Sequence, residues 1–173
     1  MKSSEIETAR LSLRKIEVTD APFFYELLNS GGWLHYIGDR NIKTIADAEQ
    51  QIIEKYIPSY TTNGYGSYLV IEKASKLPVG TCGMYKRENL DHPDIGFAFL
   101  SPFMGKGYGF EASNAILKNA VDTLNLTKVL AFTVPHNVAS IKLLKKLGLK
   151  KTGDYFFEGD PEPLLLFEKA LQV

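Results

Sequence analysis

Apolar residues along this chain recur at two periods, and the switches between them divide it into strands and helices. Leu11 and Leu13, set among polar neighbours, carry the two-residue period of a strand. Thr19 and Asp20 then open a helix with Pro22 in its first turn and Phe23, Phe24, Leu27 and Leu28 as its buried stripe; residues 29–32 end it. A second helix is predicted from Thr44, with Ala46, Ala48, Ile52, Ile53, Tyr56 and Ile57 on its apolar side. Pro58 kinks or cuts it before Asn63-Gly64.

Strands are predicted over 65–72 and 79–86, joined by a turn through Ala74-Ser75-Lys76 with Pro78 at its exit, which makes a hairpin. A strand over 94–100 leads into a glycine cluster, and an amphipathic helix over 112–124 buries Ala112, Ile116, Ala120, Val121 and Leu124. A buried strand over 128–134 stops at Pro135. Asn137 caps a short helix whose stripe is Ile141, Leu144 and Leu147 and whose stop is Gly148. Strands over 150–157 and 164–170, joined by Glu158-Gly159-Asp160-Pro161, close the sheet. The order is a continuous α+β pattern without repeat or linker, expected to form one domain over 1–173.

The most telling stretch is Phe97 to Glu111, where an apolar strand meets Gly105, Gly107 and Gly109 and then a helix. Glycine lets the backbone turn sharply and bring several N–H groups to one point, and the first turn of a helix leaves its donors free for an anion. A glycine-rich turn that only joins strand to helix is the alternative. A magnesium-binding P-loop needs Ser or Thr after its lysine, whereas Lys106 precedes Gly107. A dinucleotide fingerprint needs glycine at position 110, where Phe110 stands. The coenzyme A pattern of the GNAT acetyltransferases, Arg or Gln, two residues, Gly, one residue, then Gly or Ala, places Met104, Gly107 and Gly109 at its fixed positions.

The chain resembles the ribosomal-protein N-acetyltransferase (RimJ/RimL-like) branch of that family over nearly its whole length. Glu7-Thr8-Ala9-Arg10-Leu11-Ser12-Leu13-Arg14 resembles the branch's opening strand, and Gly105-Lys106-Gly107-Tyr108 with Glu111-Ala112 its coenzyme loop. Asn137-Val138-Ala139-Ser140 and Lys146-Leu147-Gly148-Leu149 resemble its late signature. The resemblance implies an α+β, three-layer GNAT-like fold: a mixed, mostly antiparallel central sheet of about seven strands with splayed middle strands, flanked by about four helices. It also implies acetyl-CoA as donor and direct attack by a primary amine, whether a protein N-terminus or a small molecule. Phe97, Ala98 and Phe99 would pair with pantetheine, the N–H groups from Gly105 through Tyr108 to Gly109 would take the pyrophosphate with Lys106 at the rim, and Asn137 and Ser140 would flank the arm.

Two positions depart from the family. Met104 replaces the usual Arg or Gln, leaving the backbone to bind phosphate there. Leu144 stands where many relatives carry a tyrosine that protonates the leaving thiolate, so Ser140 or a water is left for that task. Asp94, in Asp94-Ile95-Gly96-Phe97, matches the Glu-Ile-Gly-Tyr of relatives and is the leading candidate for the base that deprotonates the amine. Its alternative is a solvated carboxylate at a strand start; Glu88 and His92 are substitutes. Asn137 equally serves as a plain helix cap. A non-catalytic acyl-CoA sensor is the competing reading, sustained by the absent tyrosine.

Composition narrows the partners. The 173 residues carry 20 basic and 20 acidic side chains, so strong steering of nucleic acid is not expected, and a local basic patch is the one electrostatic route left to it. No apolar run approaches the roughly 20 residues of a membrane-spanning helix, and the opening Met-Lys-Ser-Ser-Glu lacks a signal-peptide core; cytoplasm, with no membrane partner, is expected. The single cysteine, Cys82, is read as a packed core residue, and no Cys/His spacing suggests a metal. Acceptor choice is assigned to residues 31–40, where Trp33 walls a groove or plugs the core and Tyr36 is read as the plug. A monomer or homodimer is expected.

Overall fold

The computed structural model describes residues 6–172. Its centre is a sheet in the order β1-β2-β3-β4-β5-β6-β8-β7, built from Ile6–Glu7 (β1), Leu11–Lys15 (β2), Ser67–Glu72 (β3), Pro78–Tyr85 (β4), Asp94–Phe99 (β5), Lys128–Thr133 (β6), Lys150–Tyr155 (β7) and Leu164–Ala170 (β8). Seven of these were predicted, and β1 is the addition; two residues give too short a pattern to show a period. Every neighbouring pair is antiparallel except β5 and β6, which are parallel.

Helices cover both faces. Ala21–Leu28 (α1), Gly31–Tyr36 (α2), Ile45–Gln51 (α3) and Ile57–Thr62 (α4) lie on one side. Phe24, Leu27, Trp33, Ala48, Ile52 and Tyr56 pack there against Leu69. Tyr108–Asp122 (α5) and Val138–Lys146 (α6) lie on the other, where Ala112, Ile116, Ala120 and Leu144 pack against Val70, Cys82 and Ile95. Burial on both faces explains why β3 is apolar almost throughout instead of alternating.

The second predicted helix is broken as Pro58 requires. Between α3 and α4 the chain widens into a π turn over Ile52–Tyr56, with the Ile57 N–H bonded to the Ile52 carbonyl. Proline has no N–H to give and its ring crowds the preceding turn, so the wider turn just before it relieves the conflict. The inward positions become Ala48, Ile52 and Tyr56, spaced by four residues. Ala46, Ile53 and Ile57, expected on the apolar side, are exposed instead; the widened turn rotates Ile53 and Ile57 outward, whereas Ala46 sits in the first turn of α3 ahead of it.

Residues 31–36, expected as a connection, coil into α2. Its single buried residue is Trp33, while Tyr36 is turned out. The assignment of Tyr36 as the plug is thus reversed: one helical turn has one core-facing position, and the larger, more apolar indole fills it. Among the described residues, Trp33 Nε1 is the one buried side-chain nitrogen or oxygen without a hydrogen-bond partner.

Candidate active site

The geometry begins where β5 and β6 part. They share the register pair Asp94 opposite Leu130, and the Leu130 N–H reaches the Pro93 carbonyl at 2.9 Å. Beyond it, β5 stays with β4 from Tyr85 opposite Asp94 to Gly80 opposite Phe99, while β6 pairs with β8 from Lys128 to Thr133. The strands therefore diverge as a V with its vertex at Asp94. Along Phe97, Ala98 and Phe99 the edge of β5 turned from β4 lies along the opening, and Phe97 and Ala98 are only half-buried.

At the end of the β5 arm the chain makes a 3₁₀ turn over Ser101–Phe103, passes Met104, and enters the glycine loop. Gly105 and Gly107 have φ of +75° and +82°, a region that L side chains rarely adopt. The helix begins at Tyr108, earlier than predicted, with Gly107 as its N-cap. Glycine has no side chain with which to cap this terminus. At α6, by contrast, the Asn137 side chain accepts from the Ser140 N–H at 3.1 Å. The first-turn donors of α5 meet no side-chain acceptor among the described residues, and a Cβ at Gly105 would meet nothing within 4 Å.

Gly109 has a different reason for being glycine. It lies inside the first turn of α5, and a Cβ there would stand 2.9 Å from Leu143 Cδ2. Its role is close packing of α6 on α5, which draws the turn carrying Ser140 alongside the loop. Leu143 is one turn on from Ser140, itself buried.

Arg10 and Glu111 hold the loop in place. Glu111 Oε1 accepts from Thr8 Oγ1 at 2.7 Å and from the Arg10 N–H at 2.8 Å, and Oε2 accepts from Arg10 Nε at 2.7 Å. Arg10 Nη1 also donates to the Lys106 carbonyl at 2.9 Å, and its guanidinium lies 4.6 Å from the Tyr108 ring centroid. The Tyr108 hydroxyl donates to Glu72 on β3. Burial pushes the Glu111 carboxyl up, but the bonds from Thr8 and Arg10 outweigh it and hold the group below its ordinary value. Sequence reading named both residues within motifs and assigned neither a task. The Lys106 ammonium sits 5.2 Å from the Phe103 ring centroid, and the residue is exposed. Met104 is half exposed, with its methyl against Gly32 of α2.

Asp94 is neither solvated nor free. It is buried, and Arg87 grips both oxygens, with Nε to Oδ1 at 2.8 Å and Nη2 to Oδ2 at 3.1 Å. Arg87 in turn lies 4.8 Å from the Phe157 centroid, beside Phe132. Burial raises the Asp94 carboxyl above its ordinary value against the pull of Arg87. Asp94 is thus a buried carboxylate in which desolvation and the guanidinium fork of Arg87 act in opposite directions on its affinity for a proton. Glu88 is exposed in the β4–β5 loop, and His92 lies within electrostatic reach of Glu168 on β8. Leu144 is buried, so a tyrosine there would face the core. Cys82 packs in the core beside Ser113 Oγ at 3.5 Å, and burial pushes its thiol up to about 12; it is no nucleophile.

On the α2 side, the rings of His35, Tyr36 and His136 meet. His136 lies between β6 and α6, and its ring centroid is 5.2 Å from His35 and 5.6 Å from Tyr36. Glu162, between β7 and β8, brings Oε1 to 3.9 Å from His136 Nδ1.

The strand pair splayed at one register position and the glycine-opened helix thus stand together at the end of the β5 arm. Residues 10–150 match the family model described as Acetyltransferase (GNAT) domain, and the chain belongs to that family of enzymes, which use acetyl-CoA. It is 30% identical over 149 residues to the uncharacterized N-acetyltransferase p20 of Bacillus licheniformis, covering 84% of this chain and 82% of that one. The ribosomal-protein-S5-alanine acetyltransferase of Vibrio fischeri superposes with a TM-score of 0.79 at 21% identity, covering 95% of each chain. RimL, a ribosomal L7/L12 alpha-N-protein acetyltransferase solved with coenzyme A, gives a TM-score of 0.81 at 15% identity, covering 95% of this chain and 96% of that one. At these identities the two structures establish likeness of fold.

Proposed function

We propose that this chain transfers the acetyl group of acetyl-CoA to a primary amine by direct attack, as an N-acetyltransferase of the RimJ/RimL-like branch acting on a protein N-terminus or a small-molecule amine. The observation that carries the reading is the V opened between β5 and β6 beyond Asp94 and Leu130, with the glycine-opened start of α5 at the end of its β5 arm. Pantetheine amides pair with the freed edge of Phe97, Ala98 and Phe99. The pyrophosphate sits on the N–H groups from Gly105 to Gly109, with Lys106 adding charge and Met104 contributing backbone alone. Asn137 and Ser140 flank the arm, and the Ser140 hydroxyl or a water protonates the departing sulfur, since Leu144 offers no acid. Asp94 locks the vertex through Arg87. The enzyme works in the cytoplasm as one domain, a monomer or homodimer.

The test is acetyl transfer from labelled acetyl-CoA to a mixed library of peptides, polyamines and aminoglycosides, read by mass spectrometry. Acetylated product is expected. Tight acetyl-CoA binding with no amine-stimulated release for any acceptor would convert the enzyme into an acyl-CoA sensor, the reading that the buried Leu144 favours. Thermal protection by ATP or NAD, and none by acetyl-CoA, would overturn both.

A further inference from the structure

The ring cluster on α2 gathers side chains that core packing does not explain. His35 and Tyr36 come from α2 and His136 from a connection a hundred residues later, yet all are exposed where they meet. A third segment supplies Glu162, at ion-pair distance from His136 Nδ1. His35, Tyr36 and Glu162 are the titratable groups in ring or ion-pair contact with His136 among the described residues.

The position of α2 gives the cluster a direction. Gly32 lies against Met104, past the end of β5, and a Cβ at Gly32 would stand 3.2 Å from the Met104 methyl. His35 and Tyr36 meet His136, past the end of β6. The helix therefore spans the two arms of the V on the face that carries α1–α4, opposite α5 and α6. An acceptor that meets a thioester laid through the opening approaches from this face. Asp94 of β5 and Glu111 in the first turn of α5 are each gripped by an arginine. Histidine is the side chain suited to exchange a proton near neutral pH.

We infer that the His136 imidazole, with Glu162 as counter-charge and His35 as its outlet to solvent, is the base that deprotonates the acceptor ammonium; this rests on the acetyltransferase reading above. Neutral His136 takes one proton from the ammonium, and the freed nitrogen lone pair forms the C–N bond to the thioester carbon. The C–S bond breaks with its electrons on sulfur, and the second nitrogen proton goes to that thiolate. The imidazolium returns its proton to water through His35. One amide, one thiol and one released proton balance the step.

The experiment compares wild type with H136Q, an exposed replacement whose fold is checked by its melting temperature. Amine-dependent thiol release from acetyl-CoA is followed across the pH profile, with donor affinity measured by calorimetry. In H136Q, kcat should fall by about 100-fold or more and the acid limb of the profile should vanish, while acetyl-CoA affinity stays within about twofold. E162Q should lower kcat by a smaller factor. A loss below about threefold in H136Q, or a larger loss that keeps the acid limb, overturns the assignment. Absence of transfer by the wild type overturns the acetyltransferase reading and this base together, whereas transfer undiminished in H136Q removes the base alone.

Discussion

Gly107→Val should damage the coenzyme loop in two separable ways. Gly107 has φ +82°, where a left-handed conformation costs an L residue about 1–2 kcal/mol, and a β-branched side chain more. Its Cβ would also stand 3.3 Å from Arg10 Nη2, displacing the guanidinium that ties the Lys106 carbonyl to Glu111. Arg10 is half exposed, so losing that bond adds at most about 1 kcal/mol. The sum, about 2–3 kcal/mol, corresponds to a melting temperature lower by roughly 5–10 °C for a chain of this size. The valine methyls also occupy the approach of the phosphate, so acetyl-CoA should bind at least about tenfold more weakly, about 1.4 kcal/mol. Gly105→Ala is the control for strain alone: φ is +75°, but a Cβ there meets nothing within 4 Å. It should lower the melting temperature and leave most of the affinity. Calorimetric titration with acetyl-CoA and a thermal melt on each variant decide the matter. Unchanged affinity in a destabilised Gly107→Val would mean that the loop only joins strand to helix. Unchanged melting would refute the conformational argument.

Three further outcomes follow from the ion pairs and the core. Glu111→Gln should cost about 1 kcal/mol near neutral pH. Because the wild-type carboxyl is held below its ordinary value of 4.5, the advantage of wild type is full above that pH and disappears as pH falls through the lower folded value; a pH-independent difference in melts would refute this. Asp94→Asn should cost about 1–2 kcal/mol, less than a fully buried pair because the Arg87 side chain is 43% exposed, and its kcat deficit should be the same at every pH. Recovery of kcat at alkaline pH would reinstate Asp94 as the base. Leu144→Tyr puts a larger side chain where 1% of the residue is exposed, so it should lose about 1–3 kcal/mol with no gain in kcat; a faster enzyme would show that the hydroxyl reaches the thiolate.

Most of the fold was legible because it is written in local periods and breakers. Pro58, Gly148 and the glycines before α5 each sit at a break or an end of an element. What stayed hidden depended on how turns rotate residues after the break. The π turn ahead of Pro58 sent Ile53 and Ile57 outward, and the coiling of residues 31–36 put Trp33 rather than Tyr36 in the core. The candidate site divides likewise. Its glycine loop is a contiguous motif, whereas Arg10 with Glu111 and His35 with His136 are pairs about a hundred residues apart that no spacing rule connects.

The sequence by itself determined the order of most strands and helices and the glycine loop between β5 and α5. These follow from backbone freedom, period and side-chain chemistry, which act within a few residues. Only the tertiary structure decided that β5 and β6 part beyond Asp94, that Asp94 is buried in the grip of Arg87, and that His35 on α2 meets His136 from the connection after β6. Charge pairing and strand divergence depend on which distant segments the two cores press together, and that is settled when both faces of the sheet are covered.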